Sequence, residues 1–369
     1  MLFKTAYDII YKNCEGGEKL FEELLKIKSS WEFLKATALP IAVYGAGNGA
    51  DRVFSEFEKL GIKVSAVVAS DGFVRNRTFR GFEVKSISQA EKELGDFVVA
   101  LCFASPLPQV IENIKELSKR HRIIMPSVPV FGEEVFNKSF LQNNLNEIEK
   151  AYSLLIDEQS KKVFENIIRF QITGELKYCF ECESSKDEAF ALLNLGKNES
   201  FLDLGAYRGD TVDEFLDYTE SYRKIVAVEP DKRTFRKLEA HCENINNCTL
   251  INSAIWSQNC VLKFSGNKGR GASAKSDGEE TEAICVDYIF EKYGTFTYLN
   301  IDIEGAESEM LSGAINALES KPKLCMAAYH RSEDIFNLVN TLIQINPNYK
   351  IYMRHHPHIS FWDTNIYCT

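Results

Sequence analysis

Apolar residues along this chain follow two spacings. Short uninterrupted runs predict buried strands, and stripes at every third or fourth position predict helices between them. Residues 1–36 carry such a stripe and predict a helical segment. Residues 37–130 alternate the two patterns, which favours a smaller Rossmann-like α/β domain. Its expected strands are Ile41–Tyr44, Val64–Ala69, Phe97–Cys102 and Arg122–Met125. A polar loop is expected after the second strand, and Ser88 and Glu91 have the spacing of a capping box at a helix start.

The middle of the chain has a different pattern. Residues 131–175 show helical stripes, and they predict a helical connector because they are too apolar for a solvated linker. Residues 176–369 alternate strands and helices again and predict the larger domain. Seven strands are expected there, at residues 201–204, 225–229, 249–252, 297–301, 323–328, 349–353 and 361–368. The last follows the sixth too closely for a crossover helix, so the two should pair antiparallel.

A glycine turn follows the first of these seven strands. Gly205 and Gly209 lack a Cβ and let a ligand approach the backbone. The next strand ends at Glu229, about 20 residues further on, where a βαβ unit places a carboxylate beside a ribose. The motif departs from the dinucleotide fingerprint, and Asp203 and Asp210 add negative charge that would repel a pyrophosphate. A cationic cofactor without phosphate is therefore favoured.

Polar side chains gather where the later strands end. Ligands of open parallel sheets bind at that edge. The fourth strand is followed by Asp302 and Glu304, and the fifth by His330 and Arg331. The sixth is followed by Arg354, His355, His356 and His358. Four of the six histidines of the chain are thus expected at one edge of the sheet.

Four segments in this order resemble the FkbM family of class I methyltransferases, which depend on S-adenosyl-L-methionine. They are residues 300–307, 328–334, 346–349 and 354–356, and the resemblance covers roughly residues 145–369. It implies an α/β fold with a seven-stranded class I methyltransferase (Rossmann-like) sheet. It also implies O-methylation, often of a sugar hydroxyl in a glycan or glycoconjugate. Many relatives carry lysine where Asn300 stands, so no role of that lysine transfers to this chain.

The resemblance and the strand ends together give an expected set of site residues. Cofactor contacts are expected from Asp203, Gly205, Ala206, Tyr207, Gly209, Asp210, Thr211, Glu229, Pro230, Ser253, Ala254 and Asp302. Substrate contacts are expected from Arg270, Arg331, Arg354, His355 and His356. Arg270 belongs to a glycine-rich loop at residues 265–273, which is either a flap that closes over substrate or an inert surface loop.

Methyl transfer to a hydroxyl requires a base that takes the hydroxyl proton. His330 is the first choice, and Asp302 is the alternative or its orienting partner. The histidine could instead only tie the strand end to the next helix. Asp302 and Glu304 could also hold a divalent cation that orients a sugar diol. Alternatively, Glu304 or Glu307 simply favours the N-terminus of the following helix and needs no metal. Metal dependence is therefore not favoured.

A second glycine turn, with Gly45, Gly47 and Ala50, lies in the smaller domain. It matches the dinucleotide pattern more closely, but the acid expected at the ribose is displaced to Asp71. Nucleotide binding and a purely structural turn both stay open. Two alternative functions follow, a nicotinamide-dependent sugar-modifying oxidoreductase or epimerase and a non-catalytic glycan-binding protein.

Composition narrows the partners. The chain has 53 acidic and 43 basic residues and a net charge of −10, which disfavours nucleic acid and anionic membranes. The N-terminal segment has an early acid, Asp8, and no long apolar run, so we expect neither a signal peptide nor a membrane span. We therefore expect a cytoplasmic protein without membrane insertion. Cys179 and Cys182 form a lone Cys-x-x-Cys pair, expected to be reduced and structural. The expected partner is a small-molecule or glycan acceptor, and a homo-oligomer is compatible with the sequence.

Overall fold

The computed structural model describes residues 21–75, 77–264 and 279–369. Its helices are α1 (Glu23–Lys26), α2 (Ser30–Ala36), α3 (Asn48–Leu60), α4 (Ile87–Leu94), α5 (Pro108–Ser118), α6 (Lys138–Ser153), α7 (Glu158–Thr173), α8 (Lys177–Phe180), α9 (Lys186–Leu193), α10 (Asp210–Tyr218), α11 (Lys232–Cys242), α12 (Val286–Tyr293), α13 (Glu307–Ser312), α14 (Ile315–Glu319) and α15 (Asp334–Ile345). Its strands are β1 (Ile41–Tyr44), β2 (Ala66–Ala69), β3 (Thr78–Phe79), β4 (Phe82–Ser86), β5 (Val98–Leu101), β6 (Arg122–Ile124), β7 (Glu199–Leu204), β8 (Tyr222–Val228), β9 (Cys248–Ile251), β10 (Ala254–Ile255), β11 (Cys260–Phe264), β12 (Glu279–Ile284), β13 (Tyr298–Ile301), β14 (Lys323–Ala327), β15 (Ile351–His355) and β16 (Thr364–Cys368). Within these residues no helix has both the length and the apolar character needed to span a bilayer.

The N-terminal unit contains a six-stranded sheet in the order β3-β4-β2-β1-β5-β6. Strands β3 and β4 stand where the sequence predicts only a polar loop. The start of α4 also differs from the expectation at Ser88, because the capping box is formed by Ser86 and Gln89. The hydroxyl of Ser86 accepts a hydrogen bond from the Gln89 N–H at 3.1 Å, so the helix begins two residues earlier.

The connector helices α6 and α7 carry buried apolar faces. Phe164 and Ile168 of α7 are fully buried in one hydrophobic core with Leu101 of the N-terminal sheet and Met326 of the C-terminal sheet. The two sheets are therefore joined by packed side chains rather than by a free linker, and the domain boundaries stay predictions. Cys179 and Cys182 are free and buried, and burial raises the pKa of the Cys182 thiol to about 12.

The C-terminal unit contains a seven-stranded sheet in the order β15-β16-β14-β13-β7-β8-β9. Neighbouring strands are parallel except at β16, which runs antiparallel to β14 and β15. This confirms the predicted class I sheet and its final antiparallel hairpin. Strands β7 and β13 are buried along their length, as the middle strands of a doubly covered sheet should be. Their register sets Asp203 beside Asn300, which brings the two strand ends together.

Candidate active site

The turn after β7 depends on two glycines with positive φ. Gly205 has φ of 89°, and a Cβ there would lie 1.9 Å from the carbonyl oxygen of Asp302. Gly209 has φ of 96° and precedes α10, where a Cβ would lie 2.5 Å from the ring of His241. Any side chain at either position would be strained and would meet a neighbour. The backbone of this turn can therefore approach Asp302 closely, as the glycine pattern indicates.

Glu229 closes the turn from the end of β8. One carboxylate oxygen accepts a hydrogen bond from the Tyr207 N–H at 3.1 Å, and the other accepts one from the Asp231 N–H at 2.8 Å. Its surroundings bury it, and burial raises the pKa of Glu229 to about 7 despite these bonds. Each oxygen keeps a further lone pair, so the carboxylate can still accept hydrogen bonds from a vicinal diol.

Asp203 holds the strand end from inside. It is fully buried and accepts hydrogen bonds from the Thr211 hydroxyl and from the Asn300 amide, the latter at 2.9 Å. Burial raises the pKa of Asp203 to about 7, against the lowering effect of both bonds. We call the glycine turn with Gly205 and Gly209, together with Asp203 and Glu229, the cradle. The structure gives Asn300, where many FkbM relatives carry lysine, a hydrogen bond to this cradle.

The remaining predicted cofactor residues lie around this turn. Ala206 is buried under it, Asp210 begins α10, and Pro230 and Ser253 follow β8 and β9. Ala254 begins β10, which belongs to a separate three-stranded sheet.

Sequence reasoning missed Asn252 at the end of β9. The Asn252 amide donates to the Glu229 carbonyl at 2.8 Å and to the Pro230 carbonyl at 3.1 Å. The only signal for it is a polar residue directly before Ser253 at a predicted strand end.

A charged cluster lies beside the cradle, where β13 and β14 end. The buried ring of His330 places Nδ1 3.0 Å from Glu307 Oε1, while its Nε2 lies 3.4 Å from Asp302 Oδ1 and 3.7 Å from Glu304 Oε2. Burial alone would lower the pKa of His330, but the three carboxylates together raise it to about 10. His330 is therefore an imidazolium at neutral pH and holds a proton rather than accepts one.

Glu307 is the buried counter-ion of that histidine. Burial alone would raise its pKa, but the charge and hydrogen bond of His330 bring it below its ordinary value. The sequence indicated Glu307 only as an acid at a helix N-terminus. Its pairing with a histidine 23 positions later becomes visible only in the fold.

Asp302 is the acid of the cluster that reaches solvent. Its side chain is 42% exposed, although Oδ1 itself is shielded and accepts no hydrogen bond among the described residues. Oδ2 accepts a hydrogen bond from the Tyr329 hydroxyl at 3.2 Å. Burial raises the pKa of Asp302, while the charge of His330 opposes that shift. A carboxylate with a free oxygen is a better proton acceptor than an imidazolium, so this geometry favours Asp302 over His330.

The segment before the larger domain packs on this cluster. The Phe131 N–H donates to the His330 carbonyl at 2.8 Å, and the two rings meet edge to face with centroids 5.8 Å apart. A Cβ at Gly305 would lie 2.9 Å from the Phe131 ring. Glu304, just before that glycine, adopts a positive φ of 53°. Phe131 is a site residue that sequence reasoning missed, because nothing local marks it.

The same cluster could hold a metal ion. One ligand atom each from Asp302, Glu307 and His330 lie within 4.8 Å of one another. An imidazolium has no free lone pair for a metal, so a cation would have to displace the proton of His330. The expectation that a divalent metal is not favoured stays a prediction.

The structure does not bring all predicted substrate residues to this site. Arg354 is buried, with its guanidinium 2.6 Å from Asp157 and 2.9 Å from Glu188, so substrate contact would require breaking ion pairs inside the fold. His355 and His356 are buried as well. His356 bonds to the Ser184 carbonyl and the Tyr367 hydroxyl, and burial lowers the pKa of His355 to about 3.

The two arginines among the predicted substrate residues differ in position. Arg331 lies near the cluster, where its Nε donates to the Gly305 carbonyl at 2.7 Å. Arg270 lies outside the described residues.

The chain resembles known methyltransferases in a family model and in its fold. Residues 203–358 match the family model described as the methyltransferase FkbM domain. Methyltransferase FkbM from Methylobacillus flagellatus KT is 19% identical, with a TM-score of 0.70 over 94% of this chain and 92% of that one, so the fold is shared across both units.

Other solved structures match about half of the chain. Fibrillarin from Aeropyrum pernix, with natively bound S-adenosyl-L-methionine, is 16% identical over 50% of this chain and 74% of that one, with a TM-score of 0.32. SMU.1697c from Streptococcus mutans, in complex with SAH, is 13% identical over 51% of this chain and 99% of that one, with a TM-score of 0.33. No curated protein matches the chain. Residues 203–358 are thus similar to the methyltransferase FkbM domain, and the chain shares its fold with a solved FkbM protein.

Proposed function

We propose that the protein is an S-adenosylmethionine-dependent O-methyltransferase that acts on a hydroxyl of a sugar or glycoconjugate. The observation that carries the proposal is the position of Glu229, whose carboxylate spans the glycine turn from the end of β8. We expect the protein to act in the cytoplasm on a small-molecule or glycan acceptor.

The cradle suits a cofactor with a ribose and a positive charge. Glu229 offers carboxylate lone pairs to a ribose diol. Three acids, Asp203, Glu229 and Asp302, lie at these strand ends, and any negative charge that they carry favours a cation over a phosphate group. When bound, S-adenosylmethionine supplies an electrophilic methyl group on its sulfonium sulfur.

The side chains of the cluster divide the remaining work. An acceptor hydroxyl would take up that methyl group, the sulfur would keep the electron pair of the bond that breaks, and the hydroxyl would have to lose its proton. Asp302 takes the proton that the hydroxyl loses. The charge of His330, which Glu307 holds in place, lowers the pKa of Asp302 against the larger effect of burial. Tyr329 orients the other oxygen of Asp302.

Calorimetric titration with S-adenosylhomocysteine, the product of the cofactor, tests the proposal. We expect saturable binding, with NAD titrated in parallel as the competing ligand of the oxidoreductase alternative. Binding of NAD without binding of S-adenosylhomocysteine would refute the methyltransferase mechanism.

A matched pair of variants tests the base. Asp302→Asn keeps the shape of the side chain and removes the proton acceptor. The rate at which S-adenosylhomocysteine is produced in the presence of an acceptor should therefore fall about 10²- to 10⁴-fold, while the affinity for S-adenosylhomocysteine changes little. Glu319→Gln, in α14 and outside the site, is the control. Full activity of Asp302→Asn would exclude Asp302 as the base.

A further inference from the structure

A cavity of about 350 Å³ lies between the N-terminal unit and the C-terminal sheet. One wall contains the first glycine turn with Gly47 and Gly49, and the opposite wall contains Tyr329, Arg331 and Trp362. The volume lies within the range of about 300–1,000 Å³ that small-molecule sites occupy. Sites between domains are common places for such ligands.

Backbone contacts across the two units hold the walls of this cavity in place. The Ile359 N–H of the C-terminal unit donates to the Ser105 carbonyl of the N-terminal unit at 2.9 Å. On the connecting segment, the Gly132 carbonyl accepts a hydrogen bond from the Arg52 guanidinium at 2.9 Å, one residue from the contact of Phe131 with His330. The cavity is therefore a built part of the fold rather than a gap between loosely joined domains.

Tyr329 connects the cavity to the expected base. Its side chain lines the cavity, and its hydroxyl reaches Asp302 Oδ2. The cradle of Gly205 and Glu229 is not among the lining residues. A molecule in the cavity would thus approach Asp302 from the side of β14, while the cofactor cradle lies at β7 and β8.

The lining favours an uncharged ligand with apolar and hydroxyl surfaces. Aromatic rings of Phe103, Phe361 and Trp362 face it, together with neutral amides and hydroxyls such as Gln171. Among the described lining residues Arg331 is the one ionisable side chain that carries a full charge, and a carbonyl oxygen already binds it. Sugar rings pack their C–H faces on aromatic side chains and use amides for their hydroxyls. A pyrophosphate would find a single guanidinium there.

We propose that this cavity binds the methyl acceptor as a neutral glycoside, and that the N-terminal unit thereby selects the acceptor. The proposal rests on the proposed function, since it assigns the acceptor side of the same reaction. The glycine turn of the N-terminal unit then serves as a wall of the acceptor site and not as a dinucleotide cradle.

Gly47 allows the cavity to be filled without disturbing the fold. It has φ of −132°, and an added Cβ would meet no atom within 4 Å. Gly49 is unsuitable, because a Cβ there would lie 2.5 Å from the Cys102 carbonyl oxygen. Gly72 also has open space around it and does not line the cavity, so Gly72→Leu is a matched control for Gly47→Leu.

The test uses 4-nitrophenyl β-D-glucopyranoside as an uncharged glycoside probe, titrated into the full chain saturated with S-adenosylhomocysteine. We expect binding to the wild type and to Gly72→Leu, and a loss of at least about tenfold in Gly47→Leu, since a leucine would occupy the site. The affinity for S-adenosylhomocysteine should be the same in all three proteins.

The outcomes separate the two proposals. Absence of glycoside binding, or equal binding by Gly47→Leu, would overturn the acceptor site while binding of S-adenosylhomocysteine still supported the methyltransferase. UDP-glucose binding more tightly than the uncharged glycoside would overturn the neutral chemistry. Failure of S-adenosylhomocysteine to bind the wild type would instead refute the function on which the inference rests.

Discussion

The chain forms the same local structure twice, and the two copies differ where a ligand would bind. In the N-terminal unit β1 leads through Gly45 into α3 and then β2, and in the C-terminal unit β7 leads through Gly205 into α10 and then β8. Both glycines have positive φ, 122° and 89°. Both donate their N–H to the last part of the next strand, to Val68 at 3.1 Å and to Val228 at 3.0 Å. The same strand–glycine turn–helix backbone is therefore present in both units.

The residue after the second strand is different. Glu229 stands there in the C-terminal unit and binds the turn backbone, whereas Ser70 stands there in the N-terminal unit and contacts the Tyr44 hydroxyl at 2.5 Å. The next residue, Asp71, accepts hydrogen bonds from the Ser88 N–H and hydroxyl, so its carboxylate serves α4. The comparison teaches that the glycine turn joins strand to helix in both units, and that the acid beside it indicates the cofactor. The nicotinamide alternative stays a prediction, with Asp71 in place of an acid directly after the second strand.

The largest difference between the two units is expected in the free energy of unfolding when alanine replaces Gly205 or Gly45. Gly205→Ala combines a positive φ with a Cβ 1.9 Å from a backbone oxygen and should cost about 3–5 kcal/mol of unfolding free energy, or prevent folding. Gly45→Ala meets the Phe103 side chain at 3.3 Å and the Cys102 backbone at 3.6 Å, which is ordinary contact, and should cost about 1–2 kcal/mol. Urea unfolding monitored by circular dichroism measures both. Equal losses would show that the two turns are not under different constraint.

The next effect concerns ligand affinity. Glu229→Ala removes the acceptor for the ribose and for two backbone N–H groups, so the affinity for S-adenosylhomocysteine should fall about 100-fold. Asp71→Ala, at the N-terminal counterpart, should leave that affinity unchanged. Isothermal titration calorimetry gives both constants. If Asp71→Ala weakened the ligand as much as Glu229→Ala, the assignment of the cradle to the C-terminal unit would be wrong.

The smallest expected effect is the pH dependence of the affinity for S-adenosylhomocysteine, to which Glu229 and Asp71 should contribute differently. The pKa of Glu229 is raised by burial to about 7, so its carboxylate protonates as the pH falls through 7 and stops accepting both ribose hydroxyls. Affinity for S-adenosylhomocysteine should fall about tenfold per pH unit well below 7 and be flat above 8. The pKa of Asp71 is lowered mainly by the Ser88 hydroxyl, so it stays ionised throughout and adds no slope.

The stability of the free protein should depend on the protonation of Glu229 in the opposite direction from ligand affinity. The folded state holds the proton of Glu229 more tightly than the unfolded chain, so its contribution to stability is present at low pH and is lost as the pH rises through about 7. Titrations of Glu229→Gln with S-adenosylhomocysteine between pH 5.5 and 8.5 supply the control for the pH dependence of affinity. A slope that persists in this variant would point to Asp203, whose pKa is also raised to about 7.

Local patterns predicted most of the fold but missed the outer strands of the N-terminal sheet. β4 reads Phe-Glu-Val-Lys-Ser, which is too polar to be recognised as a buried run, and β3 has two residues. β4 forms because β2 offers a free edge, with Val67 opposite Val84, and β3 then pairs with β4. The site shows the same limit, since Gly205 and Glu229 carry local signals whereas Phe131 becomes part of the site only because the connecting segment folds back onto His330.

The sequence by itself determined the alternation of strands and helices, the two glycine turns, the acid after β8 and the polar residues after β13 and β14. These follow from side-chain periodicity and from the sterics of single residues, which act over a few positions. Tertiary structure alone decided which of the gathered groups carries a proton. His330 is charged because the fold buries it among Asp302, Glu304 and Glu307, and such electrostatic surroundings depend on distances in space rather than on spacing along the chain.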